Sequence, residues 1–158
     1  MNIQSPESSI ALELNPTTGL PSLLTKVVAG VEQKQELECT LEIEINGDER
    51  RAPTGGIEYF NTSLLRDCRA NGEISTYSTA HQEVFEVPVK VGEVKLSLLY
   101  QLNNHGPALS IASQFSQQNG VLVRNLLFNV KVKNVDSQSI LNVPGNGLRS
   151  NLPIETLK

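Results

Sequence analysis

Two histidines, His81 and His105, and two cysteines, Cys39 and Cys68, are the residues best suited to metal or nucleophilic chemistry. Zinc needs four donors converging at one point, and local pairs such as His-x-His or Cys-x-x-Cys are the usual sign of it. This chain has no such spacing, so no metal and no cofactor is expected. Cys68 has no local signature of a Cys–His nucleophile beside either histidine. Glu58, Asp67, Glu73 and Glu83 lie in the irregular middle of the chain. Paired carboxylates can cleave glycosidic bonds, but nothing in the spacing of these four selects a pair. No nucleophile elbow, dinucleotide loop or Walker loop is present. The glycines of Pro144-Gly145-Asn146-Gly147 follow no strand-to-helix pattern and read as a sharp turn. No catalytic residue is assigned.

Glu36, Glu38, Glu42 and Glu44 form an acidic row. Calcium requires six to eight oxygens around one point. A strand spreads alternate side chains by about 6.6 Å, so this row is a solvated or cross-strand-paired face. Arg50 and Arg51 follow it closely and are expected opposite the glutamates. Exposed aromatic rings can stack on the apolar faces of sugars. The chain has three tyrosines, four phenylalanines and no tryptophan. Phe85, Phe115 and Phe128 fall on inward phases. Tyr59, Phe60 and Tyr77 lie in the irregular middle, and Tyr59 and Tyr77 are the candidate ligand contacts. Asn61-Thr62-Ser63 is a glycosylation triplet, a pattern common by chance.

The elements that must hold these residues are strands. Leu37, Cys39, Leu41, Ile43 and Ile45 alternate with the glutamates and Thr40, which only a period of two separates cleanly. Cys39 therefore packs as a small apolar residue, and no Cys39–Cys68 bridge is expected. Ile10, Leu12 and Leu14 alternate before Asn15-Pro16-Thr17-Thr18-Gly19, a strong reversal, and residues 20–29 return. Phe85, Val87, Val89 and Val91, then Val94 to Leu102, make a tight hairpin; Pro88 argues for an edge strand or a bulge. Residues 108–115 and 121–134 add two more strands, and one short helix could form over Thr62–Arg69. The fold class is all-β: one antiparallel β-sandwich of about eight to nine strands with at most one short helix. Residues 1–158 read as a single domain, with 142–158 a Pro/Gly-rich exit linker or tail.

Composition narrows the partners. The chain has 158 residues, 39% hydrophobic and 19% charged, enough for a core without staples. Its net charge of −4 lacks the basic footprint of nucleic-acid or anionic-lipid binding. No apolar run is long enough to span a membrane, and no signal peptide is read, so a soluble cytoplasmic protein is the default.

ALELNPTTGLPSLL resembles the first hairpin of galactose-mutarotase-like β-sandwich (supersandwich) domains of carbohydrate-active enzymes. LYQLNNHGPALSIASQFSQQNGVLVRNLLFNVKV resembles the middle of such domains. In the mutarotases the catalytic residues are histidines and a glutamate; no motif here matches them, so no catalytic role is carried over. The resemblance implies a non-catalytic sandwich, the N-terminal part of a larger glycan-processing protein. It would pack on a catalytic domain and contribute to carbohydrate binding. The alternative is a free-standing assembly module that self-associates through its sheet edges.

Overall fold

Strand order follows from where the alternating runs stop and start. The structure, a computed structural model, describes residues 1–5, 8–46, 49–51, 54–55, 57–59, 62–106, 108–116, 121–133, 140–142 and 155–157; for 49–51, 57–59, 140–142 and 155–157 it describes the backbone alone. The first strands are β1 (Asn2–Gln4), β2 (Ile10–Leu14), β3 (Pro21–Val28) and the sixteen-residue β4 (Val31–Asn46). Short pieces follow: β5 (Glu49–Arg51), β6 (Ile57–Tyr59), β7 (Thr62–Leu65), β8 (Cys68–Ala70) and β9 (Ser75–Ser78). The regular second half holds β10 (Gln82–Val91), β11 (Val94–Asn103), β12 (Leu109–Phe115) and β13 (Val123–Val132), with β14 (Ile140–Asn142) and β15 (Glu155–Leu157) at the end.

These strands form a six-stranded sheet, β1-β2-β3-β4-β13 with β7 also on β4, and a five-stranded sheet, β12-β11-β10-β8 with β9 also on β10. β5 pairs with β6 and β14 with β15 as separate hairpins. All pairings are antiparallel. The all-β class is therefore as expected, with eleven strands in the two main sheets rather than eight or nine.

Both sheets turn their inward phases into one buried cluster. Leu12, Leu14, Leu41 and Ile43 come from the first sheet; Val87, Val89, Leu98 and Tyr100 come from the second. Burying each such side chain contributes about 1.5–3 kcal/mol against the entropy of ordering the chain. On β4 the alternation holds as read: Leu41 and Ile43 are fully buried, while Glu38 and Glu42 point the other way.

Three local expectations are corrected. Thr62–Arg69 makes no helix; it forms β7 and β8, and no helix occurs among the described residues. β4 runs on past β3 and offers a bare edge, so Leu65 pairs with Ile43 and Ser63 with Ile45. A weak local helical preference loses to a ready pairing template. Pro88 lies not on an edge strand but in β10, at the middle of its sheet. The neighbour on that side is split: β9 ends opposite Glu86 and β8 begins opposite Val89. Pro88 falls in the gap, and its carbonyl accepts from the Asn71 amide at 2.9 Å, so its missing N–H costs no ladder bond. The strand that carries Arg50 and Arg51, β5, pairs its backbone with β6, Arg50 opposite Glu58, and not with β4. Among the described residues Arg66 lies 3.2 Å from Glu42, and Lys131 3.8 Å from Glu38.

The opening reversal does more than turn the chain. The Asn15 side-chain oxygen accepts from the Thr17 and Thr18 amides at 2.8 and 3.3 Å, and the Gly19 amide donates to the Asn15 carbonyl at 2.8 Å. Gly19 takes φ of 75°, which an L side chain resists. Its carbonyl accepts the Tyr100 hydroxyl at 2.9 Å, and the Thr17 carbonyl accepts the Ala70 amide at 2.8 Å. The turn thus ties the first sheet to the second at the bottom of the core.

Candidate functional site

Inward phase does not guarantee cover. β12 pairs with β11 in a register that sets Leu109, Ile111, Ser113 and Phe115 beside the buried Leu102, Tyr100, Leu98 and Leu96. β13 pairs with β4 so that Leu126, Phe128, Val130 and Val132 stand beside Ile43, Leu41, Cys39 and Leu37. Both strands therefore aim apolar side chains to the side of their sheets that carries the buried cluster. That side is incompletely covered: Ile111 stays 37% exposed, Phe115 38% and Val130 52%. Phe115 was expected in the core and is inward but uncovered; Phe128 is half-buried.

The result is an open apolar cleft between β12 and β13. One lobe, of about 260 Å³, is lined by Leu12, Leu24, Leu37, Cys39, Ile111 and Val130 among others. A second lobe, of about 180 Å³, shares Ile111 and Phe128 and reaches Leu98 and Leu126. Gln35 lies at the rim with its amide turned to the Lys133 carbonyl at 2.6 Å. Cys39 is the reactive atom type nearest the cleft floor, and burial pushes its thiol up to about 11. It stays a neutral thiol near neutrality and is a poor nucleophile. Among the described residues the lining has no acid or base to move a proton. The cleft as described can bury apolar surface and pair backbone.

Both strands that flank the cleft are long and edge their sheets. β12 has seven residues and β13 ten, and among the described residues each pairs along one side only. The opposite edges carry short strands, three residues in β1 and in β8. Short edges are protected ones; long edges with apolar neighbours invite another strand.

The sequence-predicted site residues lie elsewhere. Tyr77 is on β9, 47% exposed, opposite Val84. Tyr59 is on β6, with its side chain outside the described residues, as are all of Phe60 and Asn61. β6 and β9 belong to different sheets, so no strand pairing sets the two tyrosines side by side. Of the middle carboxylates, Asp67 accepts from Arg69 Nε at 3.0 Å and Glu83 from the Ser78 hydroxyl at 3.0 Å. His81 and His105 do meet, with ring centroids 5.9 Å apart and edge-on, where two turns come together at one end of the β10–β11 hairpin. The Asn104 amide donates to the His81 carbonyl at 3.0 Å and holds those turns together.

A polar groove of about 250 Å³ crosses the outer face of β1–β4, lined by Asn2, Ser9, Glu13, Thr25, Glu32 and Lys34 among others. Among the described residues its lining has no aromatic side chain. Cys39 and Cys68 line a further cavity of about 210 Å³ beside Thr18 and Arg66, both as free thiols. The cleft was missed by strand-by-strand alternation, although the apolar content of residues 121–132 on both phases, with Leu122 and Leu127 turned out, was a signal of a further contact. Comparisons with family models, with curated proteins and with solved structures found no match to this chain.

Proposed function

We propose that this chain is a non-catalytic β-sandwich module that works by packing on a neighbouring polypeptide through the cleft between β12 and β13. One observation carries the reading: partly exposed, inward-facing apolar side chains gather along the two long edge strands at one side of the molecule. Covering the exposed half of such a side chain contributes about 1 kcal/mol, so four or five together support a stable contact. Contributions of both sheets to one buried cluster support two layers packed face to face. The resemblance to galactose-mutarotase-like domains supports the nature of the neighbour, a catalytic domain of a glycan-processing protein. Tyr77 supports a peripheral sugar contact, because its ring is half exposed on the outer phase of its sheet.

The long bare edges favour a second reading, self-association through β12 or β13. An apolar dye separates surface that waits for a partner from surface that does not exist in solution. Anilinonaphthalene sulfonate is expected to fluoresce with the wild-type chain and to lose most of that signal in Val130→Glu. Equal fluorescence from both puts the apolar surface elsewhere and removes the packing proposal. Sedimentation of the same samples distinguishes a monomer from a self-associated module. Amide shifts around Tyr77 on adding a panel of oligosaccharides test the sugar contact alone; no shift removes that part and leaves packing.

A further inference from the structure

We infer that the cleft takes a single extended strand of alternating apolar and acidic residues, added to the free edge of β13. This rests on the packing role proposed above and names the occupant. Three observations point to it. The first is geometric. Leu126, Phe128, Val130 and Val132 of β13 project into the cleft at every second position, and so do Leu109 and Ile111 of β12. A strand placed there meets both rows with one of its faces, since its own side chains alternate with the same period. The second is the backbone. Among the described residues β13 uses one edge, against β4 and over nearly its whole length, and leaves the other edge without a strand.

The third is charge. The outward phase of β13 ends in Lys131, and Lys133 follows just past the strand with its amide donating to the Glu36 carbonyl at 3.0 Å. Lys131 already meets Glu38 across the β4 edge, at 3.8 Å and largely exposed, which shows how a strand beside β13 satisfies that row. Lys133 has no ion pair among the described residues. A strand on the free edge places its outward residues beside the same lysines, where acidic side chains pair favourably and basic ones repel. Its inward residues must be apolar, because among the described residues the cleft lining holds no partner for a buried charge. The chain's own β4 has this composition, ELECTLEIEI over residues 36–45, and occupies the paired edge.

The test uses the whole 158-residue chain, isotope-labelled, and a synthetic peptide copying residues 36–45 with serine in place of the cysteine. The peptide is expected to slow amide exchange and shift resonances along 123–132 and 109–115. Replacing its glutamates by lysine should weaken binding about tenfold or more, the effect of one or two lost pairings and added repulsion. A peptide N-methylated on the amides facing β13 should lose binding altogether, a readout that leaves the protein untouched. Equal binding of the lysine or the N-methylated peptide overturns the inference, since it shows unspecific apolar contact. No peptide binding, with the dye still lighting the cleft, overturns it too and leaves the packing proposal standing; loss of both signals removes both. Two other occupants would also overturn it. One is a second copy, seen as sedimenting dimers that the peptide does not dissociate. The other is the chain's own segment 134–158, seen as β13 amide protection in the free chain that deletion of that segment abolishes.

Discussion

Tyr100 and Phe128 are both aromatic and both stand on the inward phase of a long strand, yet one is sealed and the other is half-buried. Tyr100 lies on β11, a strand with neighbours on both sides, under the opening turn, and its hydroxyl donates to the Gly19 carbonyl. Burial pushes its phenol up, so it remains a donor. Phe128 lies on β13, an edge strand, over a cleft that no described residue fills. The two surroundings teach that alternation sets the direction of a side chain, while the strands beyond it set its cover. One half of the molecule is a closed core that holds the fold. The other has the same apolar pattern and leaves part of it in contact with solvent among the described residues.

That contrast can be broken most forcefully in the closed half. Tyr100→Ala should cost about 3–5 kcal/mol in urea unfolding, from the lost ring, the cavity and the orphaned Gly19 carbonyl. A loss as small as that of a surface residue would mean the two halves are equally loose. Gly19→Ala comes next. Its φ of 75° and the 3.0 Å approach of an added Cβ to the Val89 side chain should together cost about 2–4 kcal/mol. Thermal melting checks this, and an unchanged midpoint would show that the turn does not clamp the sheets.

High pH gives a smaller, graded effect. Burial pushes both thiols up from 9.0 to about 11, helped at Cys68 by Asp67. Below pH 9.0 both states keep the protons and stability is unaffected; between 9.0 and about 11 the unfolded chain releases them first, so stability should fall as pH rises. A double Cys→Ser variant should flatten that part of the urea–pH profile, and a profile it leaves unaltered refutes the assignment. In the open half, Val130→Ala should cost less than about 1 kcal/mol, because the side chain is already half in water. A loss near that of Tyr100→Ala would show that the cleft is closed in solution. Lys131→Ala, which removes an exposed ion pair with Glu38, should change stability by about 0.5 kcal/mol or less in the same unfolding experiment.

Much of the fold was legible from residue type alone. The Leu37–Ile45 alternation became β4, the paired runs around Gly92 became β10–β11, and Asn15-Pro16-Thr17-Thr18-Gly19 became a turn. Pro88 misled because a proline marks a missing hydrogen bond, and only the sheet showed that the gap lies between two short neighbours. Thr62–Arg69 misled because its weak helical bias carried no information about the waiting edge of β4. The candidate site was less legible. Tyr59 and Tyr77 were singled out as aromatics in an irregular stretch, a property of the local chain. The cleft is a property of two edges brought together, and His81 and His105 likewise meet only where two turns converge.

The sequence by itself determined which positions face inward and where the chain reverses, because a period of two and the preferences of Asn, Pro and Gly act over a few residues. Only the tertiary structure decided which strands lie at the edges, which inward residues remain uncovered and which cations meet the glutamates of β4. Those depend on pairings between residues far apart in the chain, and nothing local to a strand records who stands beside it.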